Sequence, residues 1–184
     1  IIYTQLKHPG SSMFNIGGTI DITGDVRLDL LRRAVEDFIG ANHTLCLRIH
    51  KTGETYVQYP ENKAPVNVAC IDFRTQQNSL NAFGEWVDKK AKAPFEILDS
   101  PLFEFYVYQL SEQRFGYFVK LHHIVADGWS IQLLTDEILE RYICLNNALD
   151  IPDTPKLSYL DCIQSEHTYL NSDKYIKNKQ FWLE

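Results

Sequence analysis

An α+β fold is expected for this chain on three grounds. Strand-forming text clusters in the middle of the chain, and helix-forming text dominates its end. The 184 residues suffice for one ordinary domain with a sizeable core of its own. No G-x-G-x-x-G string is present to argue for a doubly wound dinucleotide-binding sheet.

The elements follow in order. Phe14 to Ile22 reads as a strand, with Gly17-Gly18 marking a bulge or a close backbone approach. Thr23-Gly24-Asp25 is a turn. The next helix carries Leu30, Leu31, Ala34, Val35, Phe38 and Ile39 on one face, with Asp29 helping to cap its start and Gly40 ending it. Leu45 to His50 and Tyr56 to Tyr59 form a hairpin across Lys51-Thr52-Gly53-Glu54. Val66 to Phe73 is a short strand, and Ser79 to Lys92 is a helix that ends before Pro94. Phe103 to Leu110 and Phe115 to Leu121 are rich in aromatic and β-branched residues and pair antiparallel across Ser111–Arg114. Ile131 to Leu145 is a helix with Ile131, Leu134, Ile138 and Leu139 inward. Pro152 and Pro155 mark a loop, and Ser158 to Leu170 and Asp173 to Leu183 are the closing helices.

Composition narrows the function. An apolar fraction of 45% and a charged fraction of 23% describe a globular chain. The net charge of −6 argues against a nucleic-acid grip and against docking on an anionic membrane. No apolar run approaches the ~18 residues of a membrane span, and the first residues lack the apolar stretch of a secretory signal. Cys46, Cys70, Cys144 and Cys162 are widely and irregularly spaced, so they read as reduced, mostly buried thiols of a cytoplasmic protein. Lys174, Lys177 and Lys179 read as a solvated helix face, with an acidic partner as the alternative.

One segment carries chemistry: Lys120-Leu121-His122-His123-Ile124-Val125-Ala126-Asp127-Gly128-Trp129-Ser130. Two adjacent histidines end an apolar strand, and an Asp-Gly turn leads into a helix. Neighbours on a strand point to opposite faces, so one imidazole packs behind the sheet and the other can reach a substrate. An imidazole fixed at a strand end suits general-base work near neutral pH. Asp127 also fits a plain helix cap, and Gly128 a plain turn glycine. No metal is expected, because His8, His43, His50 and His167 lack ligand-type spacing to the pair.

The string His122-His123-x-x-x-Asp127-Gly128-Trp129-Ser130 resembles the HHxxxDG signature of the condensation-domain superfamily. Trp129-Ser130 is similar to the form found in peptide-bond-forming members. Epimerisation domains share the HHxxxDG string but tend to differ just after it, and heterocyclisation domains carry Asp for both histidines. The likeness continues through Asn15–Ile20, Leu28–Ile39, Asn42–Arg48, Ala93–Glu96, Ser100–Phe103, Ser158–Asp161 and Phe181-Trp182. The superfamily's serine-alanine-glutamine-arginine string is not evident around Ile1–Gly10, and the start instead resembles domains at the very beginning of a synthetase, some of which accept a fatty acyl or other starter group.

The resemblance implies a chloramphenicol acetyltransferase-like α/β sandwich lobe, a mixed sheet with helices packed on it. Residues 1–184 would be the N-terminal lobe of a condensation domain of a nonribosomal peptide synthetase, with the C-terminal lobe absent. The implied reaction joins a donor acyl thioester to the amine of an acceptor aminoacyl group. Both are carried on phosphopantetheine by carrier protein domains, beside an adenylation domain, and the chain itself binds no cofactor. By motif position His123 is the catalytic imidazole, the Gly128 N–H serves the oxyanion, and His122, Asp127 and Trp129 are structural, Trp129 as a packing anchor. Cys46 stands where the superfamily has an arginine that braces the motif Asp. Arg48, two residues on, is expected to take over the pairing with Asp127. A coenzyme A-dependent acyltransferase and a non-catalytic docking module of the same fold are the alternatives.

Overall fold

The computed structural model describes residues 1–61, 66–151 and 159–183. The chain divides into two units, Ile1–Ile151 and Pro152–Glu184. In chain order the first contains α1 (Ile2–Lys7), β1 (Asn15–Thr23), α2 (Leu28–Ala41), β2 (Leu47–Thr52), β3 (Thr55–Pro60), β4 (Ala69–Asp72), α3 (Ser79–Lys92), β5 (Phe103–Ser111), β6 (Arg114–His122) and α4 (Gly128–Asn146). The second contains α5 (Tyr159–Leu170) and α6 (Asp173–Leu183).

Alternation along β5 and β6 decides what each face of the sheet meets. Phe105, Val107, Phe115, Tyr117, Val119 and Leu121 join Leu31, Val35 and Phe38 of α2 and Leu134 and Ile138 of α4 in one buried cluster. On the opposite face Tyr108 and Leu110 pack with Phe73 and with Phe83 and Trp86 of α3. The Trp86 ring lies 5.2 Å from Tyr106 and 5.3 Å from Phe118. The four-stranded sheet runs β1-β6-β5-β4, with β6 antiparallel to both neighbours and β4 parallel to β5, so it is mixed. The strands β2 and β3 form a separate two-stranded hairpin.

Gly17 explains the glycine pair of β1. Its φ is +138, and a Cβ there would run into the Val119 carbonyl of β6. Gly18 has open space around the same position. The feature is a close approach of two backbones.

Several boundaries differ from expectation. Asp29 does not cap α2: the cap is Arg27, without a side-chain bond, and the Asp29 carboxylate meets the Arg27 guanidinium at 3.4 Å. The helix runs through Gly40, which lacks a positive φ, and ends at Asn42, whose Nδ2 donates to the Phe38 carbonyl at 2.8 Å. Leu45 and Cys46 lie in a 3-10 turn rather than in β2. The strand expected from Val66 to Phe73 contracts to β4. Of the four thiols only Cys144 is buried; Cys46 is half-buried, and Cys70 and Cys162 are exposed. The Pro152–Pro155 loop and Ser158 lie outside the described residues.

In the second unit, α5 and α6 meet through the rings of Tyr169 and Tyr175, 5.7 Å apart, and through Asn178 Nδ2 donating to the Tyr169 hydroxyl at 2.9 Å. Among the described residues no helix is long and apolar enough to cross a membrane.

Candidate active site

The site is built where β6 runs out. The His122 N–H donates to the Leu102 carbonyl at 2.9 Å, and the His123 N–H donates to the Phe14 carbonyl at 2.8 Å. The end of β6 is therefore held from both sides, by the residue before β5 and by the residue before β1. Val125 N–H then donates to the His122 carbonyl at 3.0 Å, and the chain turns toward α4.

The two imidazoles part as strand geometry requires. His122 is 1% exposed, between the rings of Phe14 at 5.8 Å and Phe95 at 6.0 Å. Its Nδ1 accepts from the Ile124 N–H at 3.1 Å. Burial, aided by the neighbouring His123, lowers its pKa to about 4, so it is neutral at physiological pH. His123 is exposed.

Asp127 and Ser130 close the turn. The Asp127 carboxylate accepts from the Ser130 N–H at 2.8 Å and from its hydroxyl at 2.7 Å, while the Asp127 N–H donates to Ser130 Oγ at 3.1 Å. This reciprocal capping box fixes the first turn of α4. The bonds from Ser130 hold the Asp127 carboxyl below its ordinary range. Gly128 opens the helix, exposed, with no positive φ and nothing within 4 Å of a Cβ built on it. Neither packing within this chain nor backbone conformation calls for glycine there.

Two sequence expectations are corrected. Arg48 does not brace Asp127. Its guanidinium is buried, with Nη2 2.7 Å from Glu61 Oε2 and Nη1 donating to the Leu45 and Leu47 carbonyls at 3.1 and 3.0 Å. The helix cap serves Asp127 instead. Trp129 is not a packing anchor within this chain: it is 73% exposed and makes no ring contact among the described residues. The half-buried Cys46 donates its thiol to the Asn42 carbonyl at 3.9 Å.

Sequence reasoning passed over Asn15 and Lys120, which frame the site from behind. A lysine inside the apolar run Phe118-Val119-Lys120-Leu121 was the available signal. It also passed over a cleft of about 260 Å³ beside the turn, lined mostly by apolar side chains such as Phe38, Phe105 and Leu134 but also by Asn42, Thr44 and Glu137, with Val125, Ala126 and Ser130 of the motif among its walls. Among the described residues no cluster of three or more His, Cys, Asp or Glu stands ready for a metal.

A family model described as the condensation domain matches residues 1–184. The chain belongs to the condensation-domain family. Among curated relatives, a plipastatin synthase of Bacillus subtilis (strain 168) is 29% identical over 190 residues, covering 98% of this chain and 7% of its own length. Surfactin synthase subunit 1 of the same organism is 28% identical over 186 residues, covering 99% and 5%. Among solved structures, the starter condensation domain of rhizomide synthetase RzmA superposes with a TM-score of 0.90 at 20% identity, over 98% of this chain and 44% of that one. VibH, a condensation enzyme of nonribosomal peptide synthesis, superposes at 0.87 and 22%, over 99% and 42%. The chain thus spans less than half of these solved chains and under a tenth of these synthetases. The condensation-domain fold expected from the HHxxxDG resemblance, with its mixed sheet and packed helices, is the fold observed.

Proposed function

We propose that this chain is the N-terminal lobe of a nonribosomal peptide synthetase condensation domain, and that the two-lobed domain forms an amide. The observation that carries the reading is the division of labour in the histidine pair. His122 is locked, neutral and buried, while His123 is exposed at the same strand end.

In the proposed reaction the acceptor amine attacks the carbonyl carbon of the donor thioester. A C–N bond forms, the C–S bond breaks, and the donor carrier's phosphopantetheine leaves as the thiol. His123 accepts the proton that the amine loses, or holds the amine in attacking geometry; an oriented amine needs little more, since positioning alone removes much of the barrier. The Gly128 N–H, in the first turn of α4, stabilises the oxyanion of the tetrahedral intermediate. Asp127 shapes that turn through Ser130 and does not meet the substrate. The C-terminal lobe, donor and acceptor carrier proteins and an adenylation domain are the partners, and the cytoplasm is the compartment. No cofactor on this chain is required, because the donor arrives activated.

The cleft beside the motif favours one refinement, a starter-type domain whose donor is an aliphatic acyl group. Eight of its twelve lining residues are apolar, and Asn42, Thr44, Ser130 and Glu137 complete it. An arginine-to-alanine mutant of the rhizomide starter domain has been solved with C8-CoA, which lends support to the same chemistry here.

The test is an assay of the two-lobed domain with an aminoacyl-loaded acceptor carrier and three donors: aminoacyl-carrier, octanoyl-carrier and octanoyl-coenzyme A. Amide product from a carrier-borne donor is the expected result, and preference for octanoyl over aminoacyl supports the starter refinement. Product from the coenzyme A donor alone contradicts the synthetase reading in favour of a coenzyme A-dependent acyltransferase. No product from any donor contradicts catalysis and favours a docking module.

A further inference from the structure

One carbonyl, that of Ala93 at the end of α3, is bound from two strands at once. Asn15 at the start of β1 donates Nδ2 to it at 2.8 Å and to the Ala91 carbonyl at 2.8 Å. Lys120 of β6 donates Nζ to the same Ala93 oxygen at 3.0 Å. The carbonyls closing a helix carry its negative end, so an ammonium is well matched to them.

Lys120 has little freedom to leave. Its side chain is 2% exposed, its Nζ lies 2.7 Å from Glu104 Oε1, and it stands 4.4 Å from the centre of the Phe95 ring. Glu104 also meets Lys90 at 3.5 Å, and Lys90 in turn bonds the Tyr106 hydroxyl. Burial pushes the Glu104 carboxyl up, but Lys120 and Lys90 outweigh it and keep the group ionised. A buried ammonium is costly, and an aliphatic residue would fill a strand interior more cheaply. Its geometry therefore points to a task other than stability.

That task is visible in what the clamp touches. Asn15 pairs across the sheet with His122, and the residue before Asn15 is Phe14, whose carbonyl takes the His123 N–H. Phe95, under the Lys120 ammonium, packs edge-on against the His122 ring. The strands that carry His122 and Phe14 are thus tied, through Lys120 and Asn15, to one point at the end of α3.

We propose that Lys120 and Asn15 are positioning residues for His123, holding the ends of β6 and β1 against the α3 terminus so that this imidazole leaves the sheet in one orientation. The proposal rests on the reading of His123 as the reacting group.

The experiment measures kcat and KM of the two-lobed domain for loaded carriers in Lys120→Met, Asn15→Ala, Val35→Ala and His123→Ala. Val35 is a core residue of α2, packed on the face of the sheet opposite Lys120, and serves as the control for lost stability. Lys120→Met and Asn15→Ala are expected to lower kcat tenfold or more with KM within twofold, while Val35→Ala changes kcat less than twofold. Asn15, half-buried, keeps the test open should Lys120→Met not fold. If both clamp variants stay within twofold of wild type while His123→Ala loses product, positioning is overturned and the functional reading survives. If His123→Ala retains full turnover, the functional reading falls and takes the positioning role with it.

Discussion

The Ile124 N–H donates to Nδ1 of His122. This bond fixes the tautomer: with Nδ1 an acceptor, the ring proton sits on Nε2. It also makes the neutral ring the form that the fold wants.

The sign of the resulting pH dependence follows. The folded pKa of His122 is lowered to about 4 from an ordinary value near 6.5. Between these values the unfolded chain binds a proton that the folded chain refuses, so stability rises with pH across that window. The contribution is complete above pH 6.5 and fades as pH falls toward 4, by roughly 3 kcal/mol in all. His122→Asn keeps an acceptor for Ile124 and cannot titrate. Melting temperatures from pH 4.5 to 7 should rise less steeply for the variant than for wild type; equal slopes would show that His122 is not the group responsible.

Gly17 and Gly18 are adjacent but not equivalent. Gly17→Ala adds a Cβ against the Val119 carbonyl at a φ of +138, and is expected to cost roughly 3 kcal/mol or more. Gly18→Ala meets nothing within 4 Å and should stay within about 1 kcal/mol. Urea denaturation of both variants checks this, and similar losses would contradict the strand register.

Arg48 and Asp127 belong to different assemblies. A double-mutant cycle between Arg48→Ala and Glu61→Ala should give a coupling above about 0.5 kcal/mol, because the two meet at 2.7 Å. The cycle of Arg48→Ala with Asp127→Ala should be additive. Asp127→Ala alone should lower the melting temperature by a few degrees, and Asp127→Asn by less, as expected of a helix cap. Coupling between Arg48 and Asp127 would overturn the assignment.

Where a local signal coincides with a physical stop, the sequence is readable to the residue. The helix α3 spans the expected Ser79–Lys92, with Asn78 accepting from the Asn81 N–H at its start and Pro94 just beyond its end. The β5–β6 pair is legible for the same reason, since alternation on both strands and a polar turn agree. The end of α2 misleads because Gly40 looks like a stop, while Asn42 supplies the bond that ends the helix. In the site, the opposite fates of His122 and His123 follow from strand geometry alone. Arg48 could not be assigned that way. Cys46 lies in a 3-10 turn, so it shares no strand face with Arg48, and β2 pairs with β3 rather than with the sheet that ends at the motif. Lys120 escaped notice because its partners, Ala93 and Glu104, converge only through tertiary packing.

Gly128 separates folding from chemistry. With no positive φ and open space around its Cα, Gly128→Ala should leave the melting temperature within a degree or two. If the added methyl crowds the oxyanion, turnover of the two-lobed domain should fall about tenfold or more. Loss of stability in parallel with activity would return Gly128 to a structural role.

On the proposed reading His123 meets the reacting amine. Single-turnover amide formation by the two-lobed domain, with donor and acceptor loaded on their carriers, tests it most directly when wild type is compared with His123→Ala at equal folded fraction. A loss of at least about a hundredfold in rate with carrier binding retained is expected. A His123→Ala domain that forms product at the wild-type rate would contradict it.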